Sequence, residues 1–288
     1  MRLSIGTLQI VIANLPREWL ATKSGHRLTK FFSTIDASSC SSSFLFKLTD
    51  SIALPSPEQF RKIQYISFFC DPSSHRQYFV TDEMQSVIDW KCSEMQAVVP
   101  VTAKDESADD MMFKVLVQLR LLVSFWVVHR GGLPLHSSSV FKDDSALVFF
   151  GRSGIGKTTI AGLMREKSWS LLNDEYNLLM PSGDTYRIFS TPFTKRDPDE
   201  IHDPGGMLVK GFFSLARGEY KVEQISQGFQ VRLLLKSVYL FPDYSRIQSD
   251  LLNNVVSICL ALNPCILYFQ NTPQTAQTLD QSVSGGSK

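Results

Sequence analysis

Gly151, Arg152, Ser153, Gly154, Ile155, Gly156, Lys157 and Thr158, followed by Thr159, fit the pattern G-x-x-x-x-G-K-[ST]. These residue types at this spacing suit a loop that holds phosphate. Glycines let backbone N–H groups turn inward with no Cβ in the way, and a helix opening at Lys157 adds its positive end. Lys157, facing ligand rather than core, would reach the β and γ phosphates, and the Thr158 hydroxyl would ligate magnesium. The ligands expected are therefore ATP and Mg2+. The preceding run, with Val148, Phe149 and Phe150, reads as a central strand of a covered sheet. A flexible glycine turn before a surface helix is the plainer alternative; the strand, loop and helix in that order favour nucleotide phosphate.

Phosphate binding becomes chemistry only with an acid nearby. A helix of about ten residues from Lys157 runs roughly 15 Å away from the loop, and a strand of about five residues returns by a similar distance. That strand is Trp169 to Asn173, which brings Asp174 and Glu175 to the carboxyl end of a strand expected beside the loop. One carboxylate can hold magnesium and the other can take the proton of an attacking hydroxyl; the alternative is an acidic turn. A hairpin through Lys142 to Ser145 sets Phe141 opposite Ala146, and counting on sets His136 opposite Gly151. His136 then lies beside the loop, unless a bulge turns it into a packed core histidine. His26, His75, His129 and His202 have no comparable position.

The remaining composition sets bounds. The 288 residues carry a formal charge of +1 and 43% hydrophobic residues, room for one large domain or two smaller ones. That charge balance gives no support to a nucleic-acid or membrane-surface partner. Five cysteines, Cys40, Cys70, Cys92, Cys259 and Cys265, form no CxxC pair, which points to buried thiols in a reducing, cytoplasmic setting rather than a disulfide framework or a zinc site. The N-terminal "IGTLQIVIANL" does not resemble a secretory signal. "VLVQLRLLVSFWVV", interrupted by Gln118 and Arg120, reads as a core helix too short to span a bilayer.

Composition shifts at the serine-dense Asp36 to Ser43 and at the charged Thr102 to Asp110. The second shift separates residues 1–105, a strand-rich α+β domain with a possible role in substrate binding, from a second domain over 106–275; residues 276–288, ending in "SVSGGSK", read as a disordered tail. In the second domain "TYRIFS", "MLVKGFFSLA" and "CILYFQ" are strand-like, and helical stretches follow Val231 and Ser245. "TPFTKRDPDEIHDPGG" is either an ordinary exposed loop or a substrate-gripping one with Lys195 and Arg196 as contacts. Arg152 either adds charge near the phosphates or is solvated.

"LPLHSSSV", a short gap, "ALVFFGRSGIGKTT", "LLNDEYNLL" and "STPF" in this order resemble the HPr kinase-like group of P-loop kinases, which share a nucleotide-binding core with ATP-dependent PEP carboxykinases. The likeness spans about Met111 to Gln270 and is nearest in style to the divergent kinases of ribosomal peptide modification clusters, such as lasso-peptide kinases. The resemblance implies an α/β fold with an HPr kinase/PEP carboxykinase-like P-loop core and the smaller N-terminal domain. It assigns Gly151 to Thr158 to ATP and magnesium, His136 to the active site, Asp174 as general base and Glu175 to the metal. Here the second acid is Glu where the bifunctional enzymes have Asp, and their "RGxG" signature is absent, which argues against the phosphorylase reaction and against HPr as substrate. PEP carboxykinase itself is a substantially longer chain. The reading implied is an ATP-dependent kinase acting on a Ser or Thr hydroxyl of a peptide or protein, such as a ribosomal precursor peptide, with room for a homo-oligomer. An ATP-gated peptide-binding module without transfer, and a small-molecule kinase, are the alternatives.

Overall fold

A computed structural model describes residues 1–5, 8–31, 42–63, 66–71, 73–99, 106–194, 196–197, 200, 205–239 and 245–284. The fold is mixed α/β with two sheets, and the chain divides into two compact units: residues 1–123 with 196–200, and residues 124–195 with 201–288. Cys40, Lys195 and His202 lie outside the described residues.

In the first unit β1 (Arg2–Ile5) pairs antiparallel with β2 (Leu8–Ala13), and Leu3, Ile5, Leu8 and Ile10 are buried. The short helices α1 (Arg17–Leu20) and α2 (Lys23–Thr29) follow, the second capped by the Thr22 hydroxyl, which accepts from the Gly25 N–H. β3 (Ser42–Leu48) runs parallel to β2. β4 (Arg61–Ile63), β5 (Ile66–Asp71), β6 (Arg76–Val80), β7 (Gln85–Asp89) and β8 (Glu94–Val98) form an antiparallel meander that closes on β3. The described strands lie in the order β1-β2-β3-β8-β7-β6-β5-β4.

The apolar run then forms α3 (Ala108–His129), and the two units divide inside it, between Val123 and Ser124. Its interrupting glutamine has a structural reason: buried Gln118 accepts from the Ser86 hydroxyl and donates to the Val98 carbonyl at 3.2 Å. Among the described residues α3 alone is long and apolar enough to cross a membrane, and 78% of its most apolar window is buried within the protein. In the first unit Arg196 pairs with Glu200 at 3.3 Å, and its carbonyl accepts from Arg27 Nε at 2.9 Å.

The second unit is built on β9 (Leu133–Leu135), β10 (Ser137–Lys142), β11 (Ser145–Phe150), α4 (Lys157–Arg165), β12 (Ser170–Asn173), β13 (Asn177–Ser182), β14 (Thr185–Phe189), β15 (Met207–Arg217), β16 (Lys221–Glu223), α5 (Gln227–Leu235), α6 (Ser245–Leu262), β17 (Cys265–Phe269) and α7 (Pro273–Ser284). Its strands follow the order β12-β10-β11-β15-β14-β13-β9, with β17 beside the far half of β15 and β16 beside β17. β11 and β17 both run parallel to β15, and β12 and β11 are both antiparallel to the strand between them, β10. The carboxyl ends of β12, β11, β15 and β17 therefore all lie at one edge of the sheet.

β12 pairs with β10, because the tight turn at Asp143 and Asp144 folds β10 into the place beside β11. "LPLHSSSV" is two strands: β9 pairs with β13, β10 with β11, and His136 is the break between them. Residues 276–284 are not a disordered tail but most of α7, whose Ala276 and Leu279 are fully buried against Phe149, Ile160, Met164 and Leu267. The first of the two later helices also begins earlier than expected, at Gln227.

The burial of α7 sets a test. Leu279→Ala removes side-chain volume from a site with no exposure, so it is expected to cost about 2–5 kcal/mol. A urea midpoint within error of the parent protein's would mean that α7 is not part of the folded unit.

Candidate functional site

The hairpin register agrees with the sequence count: Phe141 faces Ala146, and the ladder runs on to Ser137 opposite Phe150. The next pair outward would be His136 and Gly151. Because β10 is antiparallel to its neighbours on both sides, its first residues lie between the carboxyl ends of β11 and β12. His136 thus stands between the glycine loop on one side and the acidic pair on the other.

The loop owes its path to glycines at φ angles that side chains rarely adopt. Gly156 has φ +114°, and a Cβ there would come within 2.7 Å of the Phe269 ring at the end of β17. Gly151 leaves β11 at φ +140°. Gly156 caps α4 without a side-chain acceptor for the first-turn N–H groups. Ser153 and Gly154 are exposed with Arg152, as are Thr158 and Thr159, while Ile155 is buried in the core beneath. Arg217, at the end of β15, donates to the Gly154 carbonyl at 3.3 Å.

Lys157 differs from expectation. It is only 7% exposed, and its ammonium donates to the loop's own Gly151 and Arg152 carbonyls at 3.0 and 3.4 Å. The side chain has folded across the loop, which satisfies a cation that burial would otherwise strand. Burial pushes the ammonium below its ordinary 10.5, and Glu175 opposes this. The lysine and the second acid therefore feel one another in the folded protein.

Asp174 and Glu175 are held by a residue that sequence reasoning passed over. Asn173, 5% exposed, accepts through Oδ1 from the Glu175 and Tyr176 N–H groups, at 3.0 and 3.4 Å, and donates through Nδ2 to the Thr191 carbonyl and the Ser190 hydroxyl, at 3.0 and 3.4 Å. This is an Asx turn that redirects the chain immediately after β12. Asn177 closes the other side of the pair: its Oδ1 accepts from Ser139 Oγ at 2.7 Å, and its Nδ2 donates to the Ser137 carbonyl and hydroxyl, both at 2.9 Å. Between them Tyr176 is fully buried, its hydroxyl bonded to Ser124 Oγ and its carbonyl accepting from the Thr191 hydroxyl at 2.6 Å. An asparagine closing an apolar strand just before two acids was the signal available in the sequence.

Both acids are half-buried, and the Tyr239 hydroxyl donates to Glu175 Oε1 at 2.9 Å. Glu175 keeps its second oxygen for another partner. That oxygen and the exposed Thr158 hydroxyl are both hard donors, the kind magnesium takes. Among the described residues no three His, Cys, Asp or Glu side chains are grouped to hold a metal.

His136 is half-buried and stacks obliquely on Tyr239, with ring centroids 4.9 Å apart. Burial first, and Lys157 second, push its imidazole below the ordinary 6.5, while Glu175 and Asp174 pull it upward. Lys157, Asp174 and Glu175 are thus all within electrostatic reach of His136.

The direction of that shift fixes a pH dependence. As pH falls through 6.5 the unfolded chain takes up a proton that folded His136 resists, so this group's contribution to stability falls with acidification. His136→Gln removes that contribution, and its urea midpoint relative to the parent protein's is expected to improve steadily from pH 7.5 to pH 5.5. A constant difference across the range would place His136 in a setting no different from solvent.

No family model matches the sequence, and no curated protein matches it. Among solved structures, the HPr(Ser) kinase/phosphatase from Coxiella burnetii aligns with 52% of this chain and 94% of its own, at 14% identity and a TM-score of 0.30.

Proposed function

We propose that the protein is a cytoplasmic, ATP-dependent kinase that transfers the γ-phosphate to a Ser or Thr hydroxyl of a peptide or protein, a ribosomal precursor peptide being the acceptor suggested by the sequence resemblance. The observation that carries this reading is the placement of the Asp174–Glu175 turn and His136 at the same sheet edge as the loop Gly151–Thr158 and its lysine. The first unit, with no chemical motif of its own, is assigned to holding the acceptor.

In this reading the loop N–H groups and the start of α4 bind the triphosphate, and Lys157 exchanges its contacts with the loop carbonyls for phosphate oxygens. Thr158 and Glu175 would hold magnesium, which when bound would offset charge on the phosphate oxygens. Asp174 accepts the proton as the acceptor oxygen bonds to the γ-phosphorus; the bond from that phosphorus to the β–γ bridging oxygen breaks, and ADP leaves. His136, kept neutral by burial, hydrogen-bonds at the acid pair or the γ-phosphate.

Two variants test the reading. Lys157→Ala is expected to weaken ATP binding about a hundredfold by calorimetry. Because the lysine is buried on the loop, a melting curve must accompany it; unchanged affinity in a folded sample would remove the loop from nucleotide binding. Asp174→Asn is expected to keep ATP affinity within about threefold while slowing phosphoryl transfer, read by intact mass of the peptide, by ~10²–10⁴-fold. Transfer at the parent rate would exclude Asp174 as base, and a parent protein that binds ATP yet modifies no hydroxyl-bearing peptide would favour the nucleotide-gated binding module.

A further inference from the structure

Tyr239 belongs to no motif and lies 64 residues from the acid it touches. It reaches the site because the segment leaving α5 is clipped onto the chain around His136. The His136 N–H donates to the Ser237 carbonyl at 2.8 Å, Leu135 and Val238 form an isolated antiparallel bridge, and the Tyr239 N–H donates to the Pro134 carbonyl at 2.9 Å. Three consecutive residues of each segment are thus tied together at the break between β9 and β10. The tie leaves the tyrosine ring between two neighbours, 4.9 Å from the His136 centroid and 5.4 Å from that of Tyr176. From there its hydroxyl meets Glu175 Oε1.

We propose that Tyr239 is a positioning residue for Glu175: its hydroxyl fixes one carboxylate oxygen, so that the other is presented to a magnesium ion shared with Thr158 and the nucleotide. The inference rests on the kinase reading above. A glutamate has three rotatable side-chain bonds, and ordering it costs entropy each time it must take one geometry. A donor already bonded to one oxygen, on a ring held between two aromatic neighbours, meets that cost in the free protein rather than on ligand binding. The same ring forms one wall for His136, so a single side chain orders both the acid and the imidazole.

The readout is the magnesium dependence of ATP binding, measured by calorimetry with ATP and MgCl2, rather than turnover. Tyr239→Phe keeps the ring contacts and loses only the hydroxyl. It is expected to raise the Mg2+ concentration for half-maximal ATP binding about tenfold, the size of one hydrogen bond to a charged group, while affinity at saturating Mg2+ stays within about twofold. In a Glu175→Ala background, which removes the acceptor, the same change is expected to have no effect, because the tyrosine acts through the carboxylate. Glu175→Asp, which withdraws the acceptor by one methylene, probes the bond from the other side and is expected to shift the midpoint in the same direction.

An unshifted midpoint in folded Tyr239→Phe, or an equal shift with and without the Glu175 carboxylate, overturns the proposal while ATP binding by the parent protein leaves the kinase reading in place. If Tyr239→Phe does not fold, an unshifted midpoint in Glu175→Asp overturns it instead. A parent protein that binds no ATP at any Mg2+ concentration overturns the kinase reading and, with it, this one.

Discussion

The site depends on one buried amide. Asn173 ends β12 in a position closed to water, where every polar atom left without a partner costs ~1–3 kcal/mol. All of its bonding capacity goes into the turn: Oδ1 gathers two successive N–H groups, and Nδ2 reaches across to Ser190 and Thr191. That arrangement determines where Asp174 and Glu175 point when the chain leaves the sheet. Leucine, though equally at home in an apolar strand, would leave both N–H groups and the Thr191 carbonyl without those bonds. Asn177 applies the same logic four residues on and fastens the turn to the start of β10. Two neutral amides therefore hold the turn that carries the two acids.

The charges are arranged in the opposite spirit. Burial holds both Lys157 and His136 below their ordinary values, and for His136 the lysine adds to the effect. The acids compensate in part. A polyanion at the loop would oppose both shifts, since nearby negative charge favours the protonated forms. The folded protein satisfies Lys157 meanwhile with two neutral carbonyls, bonds weaker than those a phosphate oxygen offers. The amides of the turn have all their polar atoms bonded, whereas the Lys157 ammonium is bonded to carbonyls it can leave.

How much of this could be read in the sequence follows from the range of each interaction. The strand, the glycine loop and α4 are set by neighbouring residues, and the register from Phe141 to His136 follows from a tight turn and a period of two. The return of β12 at the loop's end of the sheet was legible from element lengths, but its partner was not, because distance counts along the chain do not say which strand fills the gap. α7 was misread for a related reason: "PQTAQTLDQSVS" is polar on average, and only the spacing of Ala276, Leu279 and Val283 marks the face that packs on α4 and the sheet. Tyr239 was invisible, because its role arises from a clip between segments a hundred residues apart in sequence.

That clip also bears on why the second acid is a glutamate. Asp174 follows Asn173 directly and lies within the Asx turn. Glu175 must span from the turn to a hydroxyl carried by another segment. An aspartate at 175 would stop about 1.5 Å short, the length of one carbon–carbon bond, and would turn a 2.9 Å contact into one beyond hydrogen-bond range unless the backbone moved. The backbone has little freedom to do so, because the Glu175 and Tyr176 N–H groups are both committed to Asn173 and the Tyr176 carbonyl to Thr191. The length of the second side chain is therefore coupled to the presence of Tyr239, and the two residues form one unit, joined across the mouth of the site.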